Sequence, residues 1–271
     1  MIQTFVGAEV YLPGEITEAT VTMDGGTIVE IGGPVQGAEI DARGKILAPA
    51  LIDLHGDAFE RQVMPRPGVF FPMETAVLET DRQLAANGIA TTYHSITLSY
   101  EPGLRSVERG RAMMQALRDL APRLSIENCE QLRWETFAFE ALETLDWAMD
   151  APLTPSLAFN DHLSMTMAPA QAARDNGDLI IFGAPNAVRG GSHIGSLGAA
   201  DMVEAGLCDA LASDYYYPAM LAAVARLDHE RRADRLRPWS LVSNGPAQAI
   251  GLHHPGAIPL GQRTPPVPAP C

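Results

Sequence analysis

Two side chains with metal-binding chemistry close the segment Asp53-Leu54-His55-Gly56-Asp57, which follows the apolar run Ala50-Leu51-Ile52. An imidazole and a carboxylate two residues apart at a strand's end project from neighbouring positions and suit Zn, Mn or Ni. The spacing alone equally fits a surface turn with an incidental histidine. Arg61 and Arg66 lie immediately beyond, in residues 59–67, where guanidinium forks would hold phosphate oxygens bidentately; a solvated loop is the plainer alternative. Glu135 ends a strand-like run and is placed either to bridge two metal ions or to stand as a peripheral carboxylate. His162, in Asn160-Asp161-His162, ends another such run, and a lone histidine there serves structure more often than ligation. Residues 183–193 read as a Gly-rich loop whose backbone N–H groups cradle an anion, with Arg189 and His193 adding charge and a proton donor. No Walker lysine is present. Asp214, in Ser213-Asp214-Tyr215, would hold a metal and take a proton from bound water as general base, or simply cap a helix.

These residues need strands to hold them. Short apolar runs near positions 52, 92, 133, 157, 180 and 211 give six candidate barrel strands. Helical patterns alternate with them over residues 73–87, 107–120, 199–205 and 218–227, and Phe139, Leu142, Leu145 and Met149 mark one face of a further helix. Strand–helix alternation predicts parallel βα units, with the chemistry at the strands' C-terminal ends. An eight-stranded barrel takes roughly 250 residues, more than residues 51–239 supply. Residues 1–50 form a separate small β unit with a hairpin at Asp24-Gly25-Gly26 and a short strand over 41–47. The Pro-rich stretch 264–271 is expected to be disordered.

The chain has 271 residues, 46% of them hydrophobic, with a formal net charge of −14. That charge disfavours nucleic acid and anionic membranes as partners, so a phosphorylated substrate would require a local arginine lining or metal ions. No run approaches the ~20 apolar residues of a membrane span, and no secretory signal is evident, so cytoplasm is the expected location. Cys129, Cys208 and Cys271 form neither a disulfide framework nor a zinc-finger spacing.

Together, residues 48–57, 61–67, 132–135, 183–193 and 212–215 resemble the amidohydrolase superfamily, and most closely its PhnM-type branch, the alkylphosphonate-utilisation diphosphatases. The resemblance implies a distorted, incomplete TIM-like β/α barrel over residues 51–239, with a small β-sandwich from 1–50 and 240–263. It further implies a divalent-metal-dependent hydrolase that releases diphosphate from α-D-ribose 1-methylphosphonate 5-triphosphate. One or two ions are expected, Zn first with Mn or Ni as alternatives. His55, Asp57 and Asp214 would be ligands, with Glu135 and His162 as further candidates and Asp214 also the general base. Arg61, Arg66, Arg189 and His193 would hold phosphate groups. The implied partner is a small phosphorylated sugar, and a homo-oligomer stays open. The chain departs from the family in a short middle after His162, in Gln131 where histidine is expected, and in Thr264-Pro265-Pro266 where a strand is expected. Two alternatives follow: another amidohydrolase acting on a cyclic amide or related C–N bond, and a non-catalytic binding subunit whose open barrel edge a partner covers.

Overall fold

The computed structural model describes residues 1–135, 138–150, 155–159, 167–190 and 198–251. The N-terminal unit is a five-stranded sheet of β1 (Ile2–Leu12), β2 (Glu15–Asp24), β3 (Thr27–Ile31), β4 (Ala38–Asp41) and β5 (Ile46–Leu47), in the order β3-β2-β1-β4 with β5 also on β1. The β2–β3 hairpin turns at Gly25 and Gly26, both in the left-handed region at φ 56° and 85°, which only glycine adopts without strain. The single strand expected over 41–47 is two short pieces, because Gly44 at φ 71° breaks the extended backbone between them. Val10, Val21 and Ile28 form the core of this unit.

The larger unit runs through β6 (Leu51–Gly56), α1 (Glu60–Val63), α2 (Met73–Ala86), β7 (Ile89–Leu98), α3 (Val107–Leu120), β8 (Glu127–Trp134), α4 (Leu142–Met149) and β9 (Ser156–Phe159). It continues with α5 (Met167–Asp175), β10 (Ile181–Gly183), α6 (Ala184–Arg189), α7 (Ala199–Glu204), β11 (Ala210–Ala212), α8 (Ala219–His229), α9 (Leu236–Ser240) and α10 (Asn244–Ala249). Strands β6-β7-β8-β9 form one parallel sheet and β10-β11 another. All six expected barrel strands are present.

The two sheets meet along β6 and β11. At the C-terminal end Gly56 bridges Asp214, with Asp214 N donating to His55 O at 2.9 Å and Asp57 N donating to Asp214 O at 2.9 Å. At the other end residues 241–242 lie between the strands. Ile52 N donates to Val242 O at 2.9 Å and Leu211 N to Leu241 O at 2.7 Å. The result is a curled half-barrel, an incomplete α/β barrel with β9 and β10 as its outer strands.

Two cores flank the curled sheet. Ile96, Leu98 and Leu132 pack against Met113, Met114 and Leu117 of α3 and Leu145 and Ala148 of α4. Gly110 lets α3 settle onto β7, because a Cβ there would overlap Leu98. Leu51, Ile89 and Leu211 pack against Met202, Met220, Ala223 and Leu227 on the other side. The α4 face differs from expectation. Leu145 is buried, but Phe139, Leu142 and Met149 are exposed, and the inward row is Ala141, Leu145 and Ala148. Small alanines let the helix lie close to the sheet, and this outweighs the larger apolar side chains in setting its rotation.

Trp239 joins the two units. Its indole N–H donates to Pro49 O at 3.0 Å and its ring lies 5.4 Å from that of Tyr11. Within the expected sandwich segment 240–263, residues 244–249 are helical, and residues 252–263 lie outside those described, as does the 264–271 stretch. Among the described residues no helix is long and apolar enough to cross a membrane.

Candidate active site at the strand ends

The site is built at the C-terminal ends of β6, β7, β8 and β11. Asp53 and His55 share one face of β6, with Asp53 buried and His55 half-buried at the mouth two residues on. Asp53 Oδ1 accepts from Ser213 N at 2.9 Å and from His55 N at 3.3 Å, tying β6 to β11 beneath the site. Burial raises the Asp53 carboxyl above the usual carboxylate range. Gly56 fits over this pair, since a Cβ there would come within 2.7 Å of Asp53 Oδ2.

His55 is held from β7 and β8. Its Nδ1 lies 2.6 Å from Gln131 Oε1 and 3.0 Å from Ser95 Oγ, and Ser95 Oγ donates to Gln131 Oε1 at 2.7 Å. Gln131 Nε2 donates to Leu54 O at 3.2 Å, which turns the amide oxygen toward the imidazole. Burial, and then the Arg133 charge, lower the His55 pKa and favour the neutral ring.

Asp57 faces two arginines. Arg133 Nη1 is 3.5 Å and Arg105 Nη2 3.7 Å from Asp57 Oδ2. Arg105 also forks onto Glu60 at 2.8 and 2.9 Å, and that pairing raises its pKa further. Glu135 is half-buried at the end of β8, its N–H donating to Leu98 O, and its charge acts on Arg105.

Asp214 takes a left-handed backbone at φ 54°, uncommon for a residue with a side chain. Its carboxylate lies over Gly183 at the end of β10, where a Cβ would sit 3.2 Å from Oδ2. Arg61 donates to Tyr215 O and lies 5.8 Å from the Tyr216 ring centre, while Arg189 Nη1 approaches Tyr215 Oη at 3.4 Å. The structure therefore gathers His55, Asp57, Arg61, Glu135, Arg189 and Asp214 around one mouth. Arg66 is not among them; it sits in an exposed turn closed by Val69 N on its carbonyl. His162 and His193 lie outside the described residues.

Two loops expected around the site are partly helical. Residues 60–63 form α1, which carries Arg61, and 184–189 form α6, stopped by Gly190 at φ 80°. A run of small or straight-chain residues with no β-branched crowding, Ala184-Pro185-Asn186-Ala187, makes the second turn favourable, with Pro185 near its start. Ser95, Arg105 and Arg133 were not anticipated. Arg133 shares the parity of Gln131 and Glu135 on one strand, the period-2 signal that could have found it. Arg105 follows a barrel strand in a βα loop, where site residues collect.

Among the described residues no three His, Cys, Asp or Glu side chains converge on a common point. Among these residues alone the donor set falls short of the divalent-ion site that the resemblance implies, and His162, a further implied ligand, lies outside them. Gln131 and Ser95 hold His55 through Nδ1, and two guanidinium groups approach Asp57 Oδ2.

No family model matches the chain. The chain is similar to alpha-D-ribose 1-methylphosphonate 5-triphosphate diphosphatase of Escherichia coli (strain K12), 26% identical over 313 residues and covering 83% of each protein. That alignment is longer than the 271-residue chain, so it runs across gaps in it. Among solved structures, N-acetylglucosamine-6-phosphate deacetylase from Pasteurella multocida matches with a TM-score of 0.60 and 15% identity over 97% of this chain and 94% of that one. An adenosine deaminase from Xanthomonas campestris with bound zinc matches at 0.57 and 11% identity, over 96% and 83%. The structural matches establish the fold. The curated relative is of the PhnM type that residues 48–57, 61–67, 132–135, 183–193 and 212–215 resemble, and this chain is shorter than it.

Proposed function

From its relationship to the PhnM-type amidohydrolases, we propose that the chain hydrolyses a phosphoanhydride bond of a phosphorylated sugar. The candidate substrate is α-D-ribose 1-methylphosphonate 5-triphosphate, which the Escherichia coli relative's name specifies, with diphosphate as the leaving group. The observation that carries this reading is the placement of Asp214, in a strained backbone, beside Arg61 and Arg189, both in contact with Tyr215. Strain retained at a strand end is a common mark of a reacting position.

In this reading Asp214 accepts a proton from water as that water attacks phosphorus. The P–O bond to the leaving diphosphate breaks, and Arg61 and Arg189 neutralise the charge that develops on it. Gln131 and Ser95 keep the His55 ring in one orientation at the mouth. No step is routed through a metal ion, because the described donors do not fit one.

The test is release of diphosphate from the triphosphate ester. Asp214→Asn is expected to lower turnover by about 10²–10⁴-fold, and Arg61→Ala to weaken substrate binding. Unchanged turnover in Asp214→Asn would remove the reading. A second reading, a binding subunit without catalysis, is favoured by Gln131 and Ser95 on His55. It predicts calorimetric binding of the triphosphate ester with no diphosphate released. Turnover of lactams but of no triphosphate ester would favour the cyclic-amide alternative.

A further inference from the structure

Of the side chains expected to hold a metal, Asp57 is paired with cations of the chain itself, and His55 is oriented by its neighbours. Gln131 Nε2 is committed to Leu54 O, so Oε1 must be the atom that meets His55 Nδ1. An amide oxygen only accepts, which places the hydrogen on Nδ1 and leaves Nε2 as the acceptor atom of the ring. Asp57 Oδ2 is approached by Arg133 Nη1 and Arg105 Nη2. The Arg133 side chain is only 12% exposed and that of Asp57 13%, so solvent screens their pairing weakly.

We propose that the guanidinium of Arg133 is the resident cation of this mouth, supplying Asp57 with the positive partner that a divalent ion was expected to provide. Arg133 reaches the position because it lies two residues after Gln131 on β8, on the same side of the strand. A planar guanidinium cannot be lost to a chelator and is always charged. Asp57 is therefore held at the mouth by a charge that needs no ion, and Arg133 is a positioning residue for it. The inference concerns what holds the mouth together and not its substrate, so it stands or falls independently of the diphosphate assay.

The experiment uses the full chain purified without chelator. Elemental analysis is expected to find divalent metal well below one ion per chain, and the thermal midpoint is expected to be the same with and without EDTA. Arg133→Met is expected to lower that midpoint, with Arg133→Lys keeping most of it. Arg133→Met is also expected to bind Zn²⁺ at least about tenfold more tightly than the unaltered chain, because a like charge beside Asp57 has gone. Stoichiometric metal that is lost in His55→Ala or His162→Ala would overturn the inference. So would a midpoint that EDTA lowers and Zn²⁺ restores, or an Arg133→Met variant matching the unaltered chain in both midpoint and Zn²⁺ affinity.

Discussion

His94 sits under the mouth on β7 and is 2% exposed, its Nε2 donating to Asn128 Oδ1 at 2.7 Å and its ring edge-on to Phe59. Asn128 Nδ2 donates to Asp81, which also takes N–H donors from Ser125 and Ile126, so the amide oxygen faces the ring and Nε2 carries a hydrogen. Burial pushes the His94 pKa down to about 4. The unfolded chain, with an ordinary pKa near 6.5, then binds the proton that the folded chain refuses. Stability from this residue is full above pH 6.5 and is lost as pH falls toward 4, by roughly 3 kcal/mol over that window. Urea midpoints measured between pH 7 and 4 should fall, and His94→Gln should flatten that fall. At this scale the sequence exposed His55, Asp57 and Asp214, because unusual residues at strand ends stand out. It hid Ser95 and Arg105, whose significance depends on which strands become neighbours. Arg66 shows the converse, since spacing from Asp57 says nothing about where the turn after α1 sends a side chain.

Elements were legible where periodicity was strong. The helices at 73–86 and 107–120 match the expected spans, with Ser106 capping the second by accepting from Arg109 N. Rotation about a helix axis was less legible, as α4 shows, because close approach of alanines is a property of the partner surface. The same region contains a buried ion pair that no local pattern reveals. Arg118 forks onto Glu130 at 3.0 and 3.0 Å, donates to Ala148 O, and stacks 4.0 Å from the Trp147 ring centre, linking α3, β8 and α4. Glu130 is 8% exposed, so removing its partner leaves a buried charge without compensation. Arg118→Ala is expected to cost about 3 kcal/mol, read as a lower denaturation midpoint, whereas substitution of the exposed Arg82 should cost little.

For the whole molecule, the count of six parallel strands was readable from alternating apolar runs. The means of joining them was not. Leu241 and Val242 lie in the turn between α9 and α10, and their carbonyls accept from β11 and β6, so this seam depends on contacts across some 190 residues of chain. Gly245 lets α10 close over the seam, since a Cβ there would overlap the carbonyl of Asp209. Gly245→Ala is expected to lower the thermal midpoint of the intact chain by the several degrees that a loss of ~2 kcal/mol brings.

The seam also decides where this architecture tolerates a change in length. The first and last strands of the curled sheet, β6 and β11, are neighbours at its centre, whereas the outer strands β9 and β10 follow one another in the chain. Residues gained or lost between 159 and 181 therefore change the arc of the sheet and the strand ends those residues carry, and leave the seam between β6 and β11 in place. Each ladder hydrogen bond from β9 to β6 stays in register, as does the pairing of β10 with β11. A lineage can shorten its middle by whole strand–helix modules and still hand down the part of the mouth that β6, β7, β8 and β11 build.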